Sequence, residues 1–315
     1  SFDAVLAMIA NKPLDFKPGS KWAYSNTNYV LLGHIVAIVS GVPWQTYIRE
    51  HVFAPAGMTE SAFMEDEPKL ADMATGYTKY KGTLMPTGSF DGWARGAGAI
   101  VSTASDLAKW DVALFDGKIV APADVRLMTS PGPLPSGADA HYGFGWMVDS
   151  FDGQPRVWHN GGTMGFLSQN DVYPALQQAV IVLQSFTGAN PATVADAAFD
   201  ALHPTLAAAK LKPVAGEDPA VTARAKKVWQ ELLAGVVDRA QFDASMNKAL
   251  TPAMLQQGTA QLKALGPATT WTYAGEVKQG ALTAYMYHLA FSSGAQLTLV
   301  MSVDANGKIA GFAAH

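Results

Sequence analysis

Between Tyr142 and Ser185 the chain carries four short strand-like runs: Tyr142 to Ser150, Arg156 to His159, Phe166 to Tyr173 and Ala179 to Ser185. The pair Asp152-Gly153 separates the first two, and Asp-Gly supplies the positive-φ positions of a tight hairpin. Runs joined by such short connections pair as antiparallel neighbours, so this block predicts an antiparallel sheet.

The chain ahead of the sheet reads as helix. Asn26 or Thr27 can cap a segment whose apolar positions Tyr29, Leu32, Val36 and Val39 recur at helical spacing, with Gly41 and Pro43 as its stop. Pro43 suits the first turn of a second helix carrying Trp44, Tyr47, Ile48 and Val52, closed by Pro55 and Gly57. Thr103 and Asp106 have capping-box spacing before Leu107, Trp110 and Leu114, which predicts a third. After the sheet, 191–207 is expected as a helix that lies on it.

Residues 210–219 (KLKPVAGEDP) have linker composition, so a boundary is placed between a first domain, 1–210, and a second, 215–315. Beyond it come helical patterns over 220–237 and 252–265. An alternating stretch follows (Thr283, Tyr285, Tyr287, Leu289, Phe291), then a hairpin turn at Asn306-Gly307. Helices followed by strands imply a small α+β domain. A length of 315 residues agrees with two domains.

Composition narrows the function classes. With 49% hydrophobic and 15% charged residues the chain has the make-up of a compact globular protein. Its longest apolar runs, such as 179–183, are far shorter than the roughly 20 residues a membrane-crossing helix needs, so no membrane span is expected. A net charge of −4, with basic residues scattered singly, lacks the footprint of a nucleic-acid binder. The absence of cysteine excludes disulfides and thiolate chemistry. Residue 1 falls in a segment that already reads as folded protein, so the natural start is expected upstream.

Two short motifs could carry chemistry. Tyr24-Ser25-Asn26 sits on the loop entering the first helix, behind the rigid Pro18-Gly19, and can present a phenol and an amide near a positive helix terminus. His159-Asn160-Gly161-Gly162 is read as the end of a strand, where paired glycines let a substrate backbone approach and the Gly162 amide supplies half an oxyanion hole. Taken alone, the first reads rather as a helix cap with a packed tyrosine and the second as a glycine-rich turn with a solvent-facing histidine.

Order and spacing change that balance. Phe16-Lys17-Pro18-Gly19, Tyr24-Ser25-Asn26, Tyr29, Leu32-Gly33, Gly41-Val42-Pro43 and Pro55-Ala56-Gly57-Met58 resemble the penicillin-recognising serine hydrolases, that is class C β-lactamases, DD-peptidases and related esterases. The same holds for Gly96-Ala97-Gly98 with Ser102 to Leu107, for Tyr142-Gly143-Phe144-Gly145-Trp146, and for His159 to Phe166. The resemblance covers about residues 1–190. It implies an α+β fold: a β-lactamase/transpeptidase-like domain of antiparallel sheet and helical lobe, lacking its N-terminal part, followed by a small α+β domain. That last domain resembles the cystatin-like or nuclear-transport-factor-like modules appended to some members.

The resemblance also implies an acyl-enzyme mechanism on a β-lactam, a D-amino-acid peptide or a small ester. Tyr24, His159 and Gly162 would be catalytic: Tyr24 moves the proton, as phenolate or through a Lys partner, and Gly162 helps to hold the oxyanion. Asn26, Asn160 and Gly161 would bind substrate. No cofactor and no metal is implied, and many relatives are periplasmic or secreted. The chain departs from the pattern in two ways. His159 stands where many relatives have Lys, which favours esters or amides over carboxylate-bearing substrates. The Ser-x-x-Lys element expected well upstream of Tyr-Ser-Asn does not occur in the 23 residues before Tyr24. The match Ser245-Met246-Asn247-Lys248 falls in the second domain and reads as surface helix. The nucleophile and an edge of the main sheet are therefore expected from a missing N-terminal segment or a companion chain. A relative that has lost its nucleophile and serves as a binding or scaffold protein stays open, as does an unrelated globular protein. His34 and His51, on expected helices beside apolar neighbours, read as core-edge or surface histidines; His141, His203, His288 and His315 show no paired ligand spacing, and Asp304 to Gly307 reads as a turn and not a calcium loop.

Overall fold

The computed structural model describes residues 2–70, 72–88, 94–135, 137, 139–210 and 212–314. Leu211 of the expected linker, and His315, lie outside them. The chain forms two compact units, divided between Leu202 and His203.

The helices of the first unit are α1 (Phe2–Ile9), α2 (Asn26–Ser40), α3 (Trp44–Ile48), α4 (Ala54–Ala56), α5 (Ala104–Phe115), α6 (Pro122–Met128) and α7 (Pro191–Leu202). Its strands β1 (Ala62–Phe63) and β4 (Ile100–Val101) form one antiparallel pair, β2 (Tyr77–Tyr80) and β3 (Thr83–Pro86) another. The main sheet is antiparallel in the order β5 (Met147–Phe151), β6 (Gln154–Thr163), β7 (Phe166–Tyr173), β8 (Gln178–Gln184).

Local chemistry explains where these elements start and stop. Helix α2 begins at Asn26 behind the extended Ser25, whose side chain makes no cap bond, and Gly41 closes it at φ 74°. Asn26 and Thr27 therefore do not cap it, because Asn26 is already helical. Pro43 precedes α3 instead of opening its first turn, and a π-helical turn (Arg49–Phe53) leads into α4. Pro55 lies inside that last turn, and Gly57, at φ 72°, ends it. The expected helix over 191–207 is interrupted at His203, because Pro204 has no N–H for the ladder and opens α8 (Pro204–Lys210) instead. The Asp152-Gly153 turn forms with both residues at positive φ, and β5 starts only at Met147.

Side chains alternate between the two faces of the sheet. On one face Val157 and Val172 pack with Leu114 of α5 and with Val125 and Trp146. On the other, Arg156 reaches Asp196 of α7, and Tyr173 stacks on Phe199 of α7 with ring centroids 4.1 Å apart.

Asp106 ties α5 to the chain before β1. Thr103 Oγ1 accepts from the Asp106 amide, but the carboxyl does not return the bond as a capping box would. It accepts instead from the Glu60 amide at 2.7 Å, the Ser61 hydroxyl at 2.8 Å and the Lys109 ammonium at 2.7 Å.

The second unit adds α9 (Pro219–Ala234), α10 (Ala244–Ala249) and α11 (Pro252–Ala264) to α8. Its antiparallel sheet runs β12 (Ile309–Ala314), β11 (Gln296–Asp304), β10 (Leu282–Phe291), β9 (Ala268–Gln279). Val228 and Trp229 of α9 pack with Tyr287, Leu289, Leu299, Met301 and Ile309 of the sheet. The Asp304 carboxylate accepts from the Asn306 and Lys308 amides, so this acidic turn is closed by its own backbone. Ser245 is exposed on α10.

Burial alone would push the Asp106 carboxyl up, but the bonds from Lys109, Ser61 and the Glu60 amide outweigh it and hold it below its ordinary value. Asp106→Ala removes the part-buried acceptor of the Glu60 N–H and the Ser61 hydroxyl and is expected to cost about 1–3 kcal/mol in urea unfolding at neutral pH. The carboxylate's contribution is complete above its ordinary value of 3.8 and is lost as pH falls through the lower folded value. Wild type and variant should therefore converge in acid; a gap that persists unchanged there contradicts the assignment.

Candidate active site

Helix α2 and strand β6 bring the two motifs together. The 95–97 turn lies directly on α2: a Cβ on Gly96 would stand 2.5 Å from the Tyr29 carbonyl oxygen and 3.3 Å from the Gly33 Cα. Only glycine permits that approach. At the start of the same helix the Tyr24 hydroxyl donates to Asn26 Oδ1 at 3.0 Å. Tyr24 is 49% exposed, and its ring centroid lies 6.0 Å from that of His159 and 6.2 Å from that of Tyr142.

His159 lies within β6, and the His-Asn-Gly-Gly tetrad is itself paired strand at the end of β6, which stops one residue later at Thr163. Residues 159–163 pair with β7 on one side. On the other side β5 stops at Met147, opposite Trp158. Among the described strands that edge of 159–163 is open, and alternate residues there direct both N–H and C=O outward. Gly161 and Gly162 are exposed on this stretch, where a Cβ on Gly161 would meet Ser168 Oγ at 2.6 Å.

The strand's period separates the expected residues. His159 shares the α5 face with Val157 and Gly161, whereas Asn160 shares the α7 face with Arg156 and Trp158. The Asn160 side chain therefore leaves the strand on the face opposite to that of His159. What Asn160 brings to His159 is its carbonyl oxygen, 2.6 Å from Nδ1. The ring's other nitrogen, Nε2, is 3.1 Å from the Tyr142 hydroxyl.

Two residues at the site escaped the sequence reading. Tyr142 was noticed only as part of a block of similarity. Asp111 is 4% exposed on the sheet-facing side of α5, and its Oδ1 accepts from the amide of Asn170, the residue directly opposite His159 on β7. Among the described residues its Oδ2 has no hydrogen-bond partner. The available signal was an acidic residue inside the helical stripe of Leu107, Trp110 and Leu114. Among the described residues no cluster could hold a metal ion, and no single helix is long and apolar enough to cross a membrane.

Burial pushes the Asp111 carboxyl up to about 7, the Asn170 bond opposing it only in part. Between its ordinary value of 3.8 and about 7 the unfolded chain gives up a proton that the folded chain keeps. Stability is thus lost as pH rises through that window and stays lower above it. Asp111→Asn is expected to flatten the decline in unfolding free energy measured from about pH 4 to about pH 8. A variant profile parallel to wild type would show that Asp111 is ionised in the fold.

Among known proteins, residues 2–205 match the family model described as Beta-lactamase. The chain is 33% identical over 166 residues to the penicillin-binding-type protein PbpX of Bacillus subtilis, covering 52% of this chain and 40% of that one. It is 28% identical over 160 residues to a D-aminopeptidase of Brucella anthropi, covering 50% of this chain and 30% of the relative. It thus spans less than half the length of these relatives. The crystal structure of a penicillin binding protein from Bacillus halodurans aligns with a TM-score of 0.55 at 27% identity, over 64% of this chain and 61% of that one. The octameric penicillin-binding protein homologue from Pyrococcus abyssi aligns over 99% of this chain and 65% of its own, with a TM-score of 0.58 at 21% identity, a likeness of fold alone.

Proposed function

Since this chain belongs to the Beta-lactamase family, we propose that it forms the Tyr24 and His159 walls of a serine acyl hydrolase acting on a D-amino-acid peptide, a β-lactam or a small ester. The observation that carries the reading is the approach of Tyr24 to His159, 6.0 Å between ring centroids, across the entrance of α2 and the open edge of β6. The D-aminopeptidase relative supports an amide or peptide substrate built on a D-amino acid. In this reading a serine Oγ attacks the substrate carbonyl while Tyr24, directly or through a lysine, takes the hydroxyl proton and returns it to the departing group. Water then opens the acyl-enzyme. Asn26 orients the substrate amide.

Gly162 shares its strand parity with Asn160, whose carbonyl oxygen lies 2.6 Å from the His159 ring. This supports a Gly162 amide directed to the open edge, where a developing oxyanion would lie.

The serine and lysine are assigned to polypeptide outside these residues, an N-terminal segment or a companion chain. Support comes from the greater length of the relatives and from two unfinished surfaces. Strand β8 ends the main sheet. Helix α2 exposes Leu32, Ile35, Ile38 and Val39 by 50%, 51%, 66% and 82%, an apolar stripe that a partner would cover. A periplasmic or secreted setting fits the family.

With the complete protein, Tyr24→Phe is expected to lower kcat on a D-alanyl amide or a nitrophenyl ester about 100- to 10,000-fold with KM little changed. Retention of the wild-type rate would remove Tyr24 from the proton path.

A further inference from the structure

Tyr142 is 7% exposed, with Trp22, Tyr24 and His159 around its ring at centroid distances of 5.1, 6.2 and 6.0 Å. The chain around it is tightly placed. Its carbonyl accepts from the Gly132 amide at 3.1 Å, and a Cβ on the adjacent Gly143 would stand 2.0 Å from the Met128 carbonyl oxygen. The hydroxyl is thereby delivered to His159 Nε2 at 3.1 Å.

The proton positions on His159 follow from what each partner can do. A carbonyl oxygen only accepts, so the 2.6 Å contact to Asn160 requires the proton on Nδ1. A neutral imidazole has one N–H, so Nε2 carries the lone pair and the Tyr142 hydroxyl donates to it. We infer that Tyr142 is a positioning residue: it holds His159 as the neutral Nδ1–H tautomer and occupies its remaining lone pair, so this wall presents neither a free base nor a fixed cation. Resting on the reading of this face as an acyl-hydrolase site, the inference assigns the wall to an uncharged part of the acyl substrate. It leaves proton transfer to Tyr24 and its partner. Burial, a side-chain hydrogen bond with Tyr29 and the neighbouring Tyr24 push the Tyr142 phenol up from its ordinary value, so it stays protonated at neutral pH; its one proton going to His159, the Tyr29 hydroxyl is the donor in the bond between the two tyrosines.

The test uses the intact protein with 15N-labelled histidine, with His159→Gln to identify the His159 signals, and needs no turnover. In wild type above pH 7.5, His159 should show a protonated Nδ1 and an unprotonated, hydrogen-bonded Nε2, the reverse of the tautomer that a free imidazole favours. In Tyr142→Phe, which keeps the ring packing, the Nε2 resonance should move toward that of an unbonded acceptor. Diethylpyrocarbonate, which acylates an unprotonated ring nitrogen, should then modify His159 about tenfold faster relative to the exposed His141, as expected for loss of one hydrogen bond. A protonated Nε2 in the wild type overturns the inference whatever the variant does. So does a Tyr142→Phe protein with an unmoved Nε2 resonance and an unchanged labelling rate. Because neither readout depends on catalysis, failure of the hydrolase reading leaves this result separately legible.

Discussion

Successive side chains of an extended strand leave on opposite faces, and β6 uses that alternation to serve two purposes over ten residues. Its α7 side carries Arg156, which bonds Asp149 at 2.8 and 2.9 Å and reaches Asp171 and Asp196, so this face is closed by charge. Its α5 side carries Val157 in the apolar core and then His159 and Gly161 toward the site. A shift of one residue in the β6–β7 register would exchange these sets, burying His159 among the acids and turning Arg156 into the core. The register Val157↔Val172 through Thr163↔Phe166 is therefore the constraint on which the site depends.

The second wall comes from α2. The Gly96 approach fixes the helix where Tyr29 can reach Tyr142, and the helix entrance holds Tyr24 against Asn26. Tyr142 joins the two walls, bonding His159 and packing edge-on to Tyr24. Among the described residues no ion pair includes Tyr24 or His159. The face is an aromatic-lined surface of Trp22, Tyr24, Tyr142 and His159.

The four strands of the main sheet were legible in place and order, their bounds only in part. Phe166 to Tyr173 stands as read and Ala179 to Ser185 shifts by one residue at each end, because two-residue alternation and turn residues act locally, whereas Tyr142 to Ser150 shortens to Met147–Phe151 and Arg156 to His159 lengthens to Gln154–Thr163. Helix ends were legible in part as well. Whether Ser25 or Asn26 precedes α2 depends on where Asn26 spends its side chain, and that depends on Tyr24. The juxtaposition of Tyr24 and His159 could be anticipated from the ordered motifs, but not that β6 runs on to Thr163, which puts His159 and Asn160 on opposite faces of one strand. Asp111 and Tyr142 act through partners distant in sequence, Asn170 and His159, and no local pattern encodes such pairs.

The central claim is that these residues build two walls of a serine hydrolase site whose nucleophile lies on other polypeptide. It is tested most directly by treating the protein, with every polypeptide that copurifies with it, with a fluorophosphonate and measuring denaturing intact masses and the labelled peptide. One adduct is expected, on a serine outside these 315 residues. An adduct on a serine of this chain, or none when all the polypeptide is present, would contradict it.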